Sequence, residues 1–380
     1  MKLVPGRPRV LALGEPTHFE NALLDLRNDL FRGLVERYGY RAITIESDCL
    51  LGLLVDDYVT TGAGDLDDVM RRGFSHEFGA MAGNRELVRW MREHNDGRPA
   101  DQQVRFAGFD GPLEITGGAS PRHVLTALHT YLSSRVGTTV DADDLDRLIG
   151  DDDRWPEPAA MMDPAQSVGR SPQAVALRLI ADDLAAAVDA YAPELIATST
   201  PGEWERARLY ARTATGLMRY HRWMADDSPA RLGSLLAVRA SMMAANLLAL
   251  ADRRPTLAFA QTSHLQRQRS TIQLGPASSQ WWSAGAITEA RLGGNYAVVA
   301  AALGTISRRG VGTPPPGTIE GFLYARPEPR QIVDPRDLDA TAEPRVSPWF
   351  GYAPLDPAQL SGFDAIAYVR DCPPGEETPY

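Results

Sequence analysis

Cysteine is almost absent from this 380-residue chain: Cys49 and Cys372 are the only two, and no C-x-x-C spacing occurs. A disulfide framework and a thiolate zinc site are therefore excluded as the basis of the fold, and a reducing compartment is expected. Lysine is rarer still. Lys2 is the single one, and every other basic residue is arginine. With abundant Ala, Gly and Pro, that matches the codon bias of a GC-rich genome and says little about chemistry. Positive charge is also in deficit, with 39 Lys and Arg against 49 Asp and Glu, a formal net charge of −10. An acidic surface repels phosphate, so nucleic acid and anionic membrane are not expected partners. No apolar run reaches spanning length, and MKLVPGRPRV has no apolar signal core. The expected location is the cytoplasm.

Several chemical signatures are missing as well. There is no G-x-S-x-G, so a nucleophile elbow is not expected. Neither G-x-x-x-x-G-K-[ST] nor a G-x-G-x-x-G after the first strand is present, which removes the main support for ATP or NAD binding. His76 stands beside Glu77, but the pair does not extend to H-E-x-x-H.

What is present reads as alternating strands and helices. Val10-Leu11-Ala12-Leu13 is a short apolar run stopped by Gly14, as in a buried strand. Phe19, Leu23, Leu26, Leu30 and Leu34 then recur at helical steps, and Gly39 is placed to end that helix. Ala42 to Ile45 is a second strand running into Glu46. Strand, helix, strand is the pattern of a parallel βαβ unit. A helix from Glu86 to His94 and a strand from Val104 to Phe109, ending at Asp110, follow. From about His123 to Arg253 the pattern is helical, with helices Gln173 to Tyr191, Glu203 to Met224 and Leu232 to Ala251. Asp141 to Arg170 is polar and proline-bearing, a loop-rich excursion. Further strands are expected at Thr256 to Ala260, Gly317 to Tyr324 and Ala365 to Val369. The fold class is α/β: a mainly parallel central sheet flanked by helices, with a helical subdomain or lid. Residues 1–114 and 254–380 are expected to form the core, and residues 115–253 the helical subdomain.

Four of these strands lead into polar residues: Glu15 and His18, Glu46, Asp110, and Gln261 with His264. In open parallel sheets ligands bind beyond the carboxyl ends of the strands. Two acids and two histidines there form an acid–base set, because histidine titrates near neutrality and carboxylates orient it. Arg27 borders the apolar face of its helix, and Glu15 or Glu46 is its expected partner. Taken singly, each residue also fits a structural role: a loop acid, a capping histidine, a strand-end acid paired with arginine. Asp110 reads as a cap and is left out of catalysis. His94, His123, His129 and His221 fall on helices and read as surface or packing residues. Trp281 and Trp282 fit either an apolar substrate pocket or the core.

The stretch ALGEPTHFENALLDLRNDLFRGLVERYGYRAITIES resembles the opening of the erythromycin esterases and their relatives, with a G-E-x-[ST]-H loop, a helical arginine and a strand-end glutamate. The resemblance falls on Glu15, His18, Arg27 and Glu46. NRELVRWMREHN, FAGFD, VRASMMAANLLAL, TLAFAQTSHLQRQ and FDAIAYVRD follow in the family's order, from about Arg9 to Pro374. The resemblance implies a hydrolase that opens an ester or lactone of a natural-product-type small molecule. It implies neither a metal nor another cofactor, though two carboxylates and two histidines are donors zinc accepts. By carry-over His18 is the general base, Glu15 and Glu46 orient it or the water, and Arg27 holds the acids. His264 polarises the carbonyl or protonates the leaving group. Gln261, Arg239, Trp281 and Trp282 are the candidate substrate-binding residues.

Three positions depart from the family pattern. Gln261 replaces the first histidine of A-H-N-x-H, Ala240 follows Arg239 where an aspartate is usual, and Phe19 replaces a small residue. Two other readings therefore stand beside the hydrolase. One is a non-hydrolytic tailoring enzyme of secondary metabolism, catalysing elimination, isomerisation or cyclisation. The other is a non-catalytic metabolite binder.

Overall fold

The computed structural model describes residues 6–114, 117–274, 277–347, 349 and 351–372. Expectations that fall on residues 115 and 116, or beyond 372, lie outside that set. Eleven strands occur among the described residues: β1 (Val10–Glu15), β2 (Ala42–Asp48), β3 (Arg105–Asp110), β4 (Leu113–Glu114), β5 (Gly117–Gly118), β6 (Thr256–Gln261), β7 (Arg269–Leu274), β8 (Ala277–Trp282), β9 (Tyr296–Thr305), β10 (Arg330–Val333) and β11 (Ala365–Asp371). Seven of them form the central sheet, in the order β10-β11-β9-β1-β6-β2-β3. The pairings β1–β6, β1–β9, β2–β6 and β9–β11 are parallel, and β10 adds an antiparallel edge.

The chain divides into two compact units, residues 1–109 with 247–380, and residues 110–246. In the first, β1, β2 and β9 are buried along their whole length. A central parallel strand has both faces covered, which is why VLALGE reads as a continuous apolar run. The helix Asn21–Tyr38 lays Leu23, Phe31 and Leu34 into the core and ends at Gly39, whose φ of 70° is left-handed. β1 and β2 run parallel, but they are not neighbours: β6, more than two hundred residues along the chain, lies between them.

The second unit is built from helices, including Arg122–Ser133, Pro172–Ala190 and Pro201–Met224. Its supposed loop excursion contains a helix, Ala142–Ile149, capped by the Asp141 carboxylate, and then four single-turn 3-10 segments. A two-residue antiparallel pair, β4 with β5, also lies in this unit, where no sheet is expected from the sequence.

Two further expectations fail. Gly317 to Tyr324 is not a strand: Ile319–Tyr324 is helical, with the Thr318 side chain accepting from the Gly321 N–H. Hydroxyl capping satisfies an amide that a strand would have paired in the sheet. And among the described residues one helix, Arg231–Ala251, is long and apolar enough to cross a membrane by length and composition. Its apolar residues serve packing instead at Ala240, Met243 and Leu247, which are buried, and Arg239 near its centre is paired with Asp110.

Candidate active site

Glu15 is the last residue of β1 and lies in register with Gln261, the last residue of β6. Glu46 follows on β2, the other neighbour of β6. Three adjacent strands thus deliver three polar side chains to one edge. Gly14 makes this possible. A β-carbon there would sit 2.7 Å from the Thr262 Oγ1 and 2.8 Å from its Cα. Glycine lets the short helix Thr262–Leu265, which carries His264, lie against β1, and Thr262 Oγ1 donates to the Glu15 carbonyl at 3.1 Å.

The four residues singled out by sequence meet there. His18 Nδ1 is 2.7 Å from Glu15 Oε1. His18 Nε2 faces Glu46 Oε2 at 4.0 Å. Glu46 Oε1 is 3.1 Å from His264 Nε2, and its Oε2 accepts the Gln261 N–H at 2.9 Å. The His18 side chain is 28% exposed, whereas Glu15, Glu46 and His264 are each nearly closed off at 4%, 6% and 8%. His18 is therefore the member that an incoming molecule meets. Phe78 packs on its ring at 5.3 Å, and Phe19 packs on Phe78 at 5.5 Å.

Electrostatics follow from burial and pairing. Burial lifts the Glu15 carboxyl above the usual range, while the bond to His18 and its charge pull the other way. Burial disfavours His18 cation, but Glu46 and Glu15 outweigh it and raise the His18 pKa above its ordinary value. Burial lowers Arg27 to about 10, which still leaves it cationic at neutral pH.

Arg27 corrects an expectation. It bonds neither acid. Its guanidinium donates to Asn84 Oδ1 at 2.7 Å, to Asn28 Oδ1 at 2.8 Å and to the Gly83 carbonyl at 3.3 Å, and it lies 5.0 Å over the Phe259 ring. The neighbouring helix Ala82–Asn95 supplies amide acceptors that match the fork, so the charge reaches Glu15 only through space. A small cavity separates them, lined by Glu15, Arg27, Glu46, Phe78, Asn84 and Phe259. It offers about 10 Å³ to the centre of a water, close to what one molecule needs.

The remaining candidates are placed differently. Gln261 has its side-chain Oε1 bonded to Ser263 at 2.7 Å. Arg239 belongs to the helical unit, where its Nη2 and Nε bind Asp110 at 2.6 and 2.9 Å. There the guanidinium pairs with a fully buried carboxylate, whose charge would be costly to leave unpaired. Trp281 is buried and Trp282 exposed on the β7–β8 hairpin, with Arg269 over the Trp282 ring at 4.8 Å. Neither tryptophan lines the cavity. Asn84, Phe78, Glu20, Arg308 and Arg309 surround the site without having been singled out in the sequence; only the position of Asn84 in NRELVRWMREHN carried a trace of it. No group of three or more metal-ligating side chains is arranged for an ion among the described residues.

A parallel sheet with acids and histidines gathered at its carboxyl edge is the layout of an α/β enzyme. The sequence profile of the erythromycin esterase family matches residues 35–370, and this chain belongs to that family. The matched span includes Glu46, Gln261 and His264, while Glu15, His18 and Arg27 precede it. Erythromycin esterase type II of Escherichia coli is 29% identical over 112 residues, 30% of this chain. The alignment spans about a quarter of that relative's length, 26%. A Bacillus cereus protein of known structure superposes with a TM-score of 0.71 at 15% identity, covering 97% of this chain and 90% of its own. A histidine mutant of the erythromycin esterase EreC, in its open conformation, gives 0.69 at 18% identity, covering 97% and 91%. A succinoglycan biosynthesis protein gives 0.67 at 15%, covering 97% and 89%. At these identities the structural matches show a shared fold.

Proposed function

We propose that this protein hydrolyses an ester or lactone of a natural-product-type small molecule, with His18 as the general base. The observation that carries the reading is the contact chain Glu15–His18–Glu46–His264, in which His18 alone is accessible. Glu15 accepts from Nδ1–H, which fixes the tautomer and leaves the Nε2 lone pair on the side of Glu46, 4.0 Å from its Oε2. A water hydrogen-bonded to Nε2 loses its proton to it as its oxygen attacks the carbonyl carbon. The imidazolium that forms stands between two carboxylates, so the charge is met as it develops. Collapse of the tetrahedral oxyanion breaks the carbon–oxygen bond, and the departing alkoxide takes the proton back from Nε2. His264 and the Gln261 N–H act on Glu46, holding it in place. No covalent enzyme intermediate is required.

Gln261 favours a second reading. Glutamine donates a neutral N–H but carries no proton at neutral pH, so a histidine's help to a poor leaving group is missing. Elimination, isomerisation or cyclisation through an enolate needs less of that help. Incubation with a panel of esters, lactones and erythromycin, read by mass spectrometry, tests the proposal. A lactone heavier by one water, or an ester split into its acid and its alcohol, supports hydrolysis. A product of unchanged mass, or one lighter by a water, moves the protein to the second reading.

A further inference from the structure

Among the described residues, three non-glycine positions have a left-handed backbone: Phe19 at φ 64°, His76 at φ 55° and Glu77 at φ 59°. They gather around one ring: Phe19 and His76 pack on Phe78, as His18 does, and Glu77 immediately precedes it. A bulky residue persists in this region only when its surroundings hold it there, and such strain collects at functional sites. Phe19 has an identifiable holder. Arg308 Nη2 donates to the Phe19 carbonyl at 3.0 Å and to Glu20 Oε2 at 2.7 Å. Arg309 Nη1 donates to the His18 carbonyl at 3.4 Å, and its Nε lies 3.4 Å from Glu20 Oε1. Glu20 is 1% exposed, so its carboxylate depends on those cations. Both arginines come from the turn Ser307–Arg309 that follows β9, the strand beside β1. Arg309 is braced in turn over the Trp349 ring at 4.6 Å.

We propose that Arg308 and Arg309, tied to buried Glu20, are positioning residues that lock the His18–Phe19 turn and so hold the His18 ring between Glu15 and Glu46. Their purpose rests on the reading of His18 as base. The physical route is short. The direction of the His18 ring is set by its backbone, and relaxation of Phe19 to negative φ rotates the peptide that two arginine bonds now hold. The ring then leaves Glu15. Arginine suits the task because one fork spans a carboxylate and a carbonyl together, which a lysine point charge does not.

The test is a proton titration of His18 by NMR in histidine-labelled protein, which needs no substrate. The groups facing that ring are Glu15 from β1, Glu46 from β2 and His76 from the segment before the helix Ala82–Asn95. In Arg308→Ala the ring loses its two acids, and its pKa falls toward the free value of about 6.5. Turnover of p-nitrophenyl butyrate should drop about a hundredfold in kcat with KM little changed, as a displaced catalytic group implies. In Phe19→Gly with Arg308→Ala the left-handed backbone no longer carries a β-carbon penalty, and the titration should move back toward that of the unmodified protein. Arg308→Lys keeps Glu20 paired and should fold, with a smaller shift in the same direction. A folded Arg308→Ala or Arg308→Lys whose His18 titrates as in the unmodified protein overturns the proposal, since ion pairs that only stabilise the fold would leave the ring unmoved. A shifted titration with unchanged turnover upholds the clamp and removes the base reading.

Discussion

A histidine bonded to one buried carboxylate and facing a second holds its proton more tightly than a free one. His18 must be neutral to act as a base, so its raised pKa has a definite consequence. The rate should climb with pH and level off above the ordinary histidine value of about 6.5, not at it. Glu15→Gln removes one of the two attractions and should move that rising limb to lower pH, which a profile of kcat/KM against pH reads directly. Position 261 gives a second prediction. Gln261→His restores a side chain able to carry a proton beside the leaving group, so macrolide ring opening should appear in that variant and be slight or absent in the unmodified protein. Rapid opening of erythromycin by the unmodified protein would show that the substitution did not redirect the site. Glu15, His18, Glu46 and His264 are legible as a group because each lies at or just past the end of an apolar run that marks a strand. The partner of Arg27 was not: nothing in the sequence shows that Asn84, nearly sixty positions away, offers a closer acceptor than either acid.

Elements whose ends the sequence marks chemically are legible in it. Gly39 closes the first long helix, and the apolar run of β1 stops at Gly14. β9 leaves no clear mark in the sequence although it is ten residues long and wholly buried. YAVVAAALGT is rich in alanine, whose strand propensity is low, and burial on both faces erases any alternation. The helix Ile319–Tyr324 reads as a strand in the sequence because six mostly apolar residues are too few to show helical periodicity, and only the capping Thr318 marks its start. At this scale Gly14 is the most exacting position. Gly14→Ala drives a β-carbon against the Thr262 backbone at 2.8 Å, so trimming the Thr262 side chain cannot relieve it. A loss of about 1–3 kcal/mol is expected from such overpacking. Activity should fall further than stability, because Glu15 and the helix carrying His264 are pushed apart. Urea midpoints beside turnover numbers measure the two effects.

For the molecule as a whole, the sequence reveals a parallel α/β core but not its strand order. Neighbouring strands are set by long-range pairing, and β6 enters between β1 and β2 from more than two hundred residues along the chain. That insertion is what brings Gln261 and His264 beside Glu15 and Glu46. The helical unit has its own buried ion pair in Arg239 and Asp110. Arg239→Ala should lower stability by about 3 kcal/mol, the low end for a broken buried pair, since Arg239 is partly exposed. A raised KM with unchanged stability would instead return Arg239 to the substrate. Hydrolysis as proposed depends on His18 delivering a water to a carbonyl carbon. The most direct test compares unmodified protein and His18→Asn on the ester and lactone panel in heavy-oxygen water. The expected result is a heavy oxygen atom in the carboxylate product of the unmodified protein, and a rate about 10²–10⁴-fold lower in a variant with unaltered circular dichroism. A folded His18→Asn protein that hydrolyses the same substrate at the unmodified rate would contradict it.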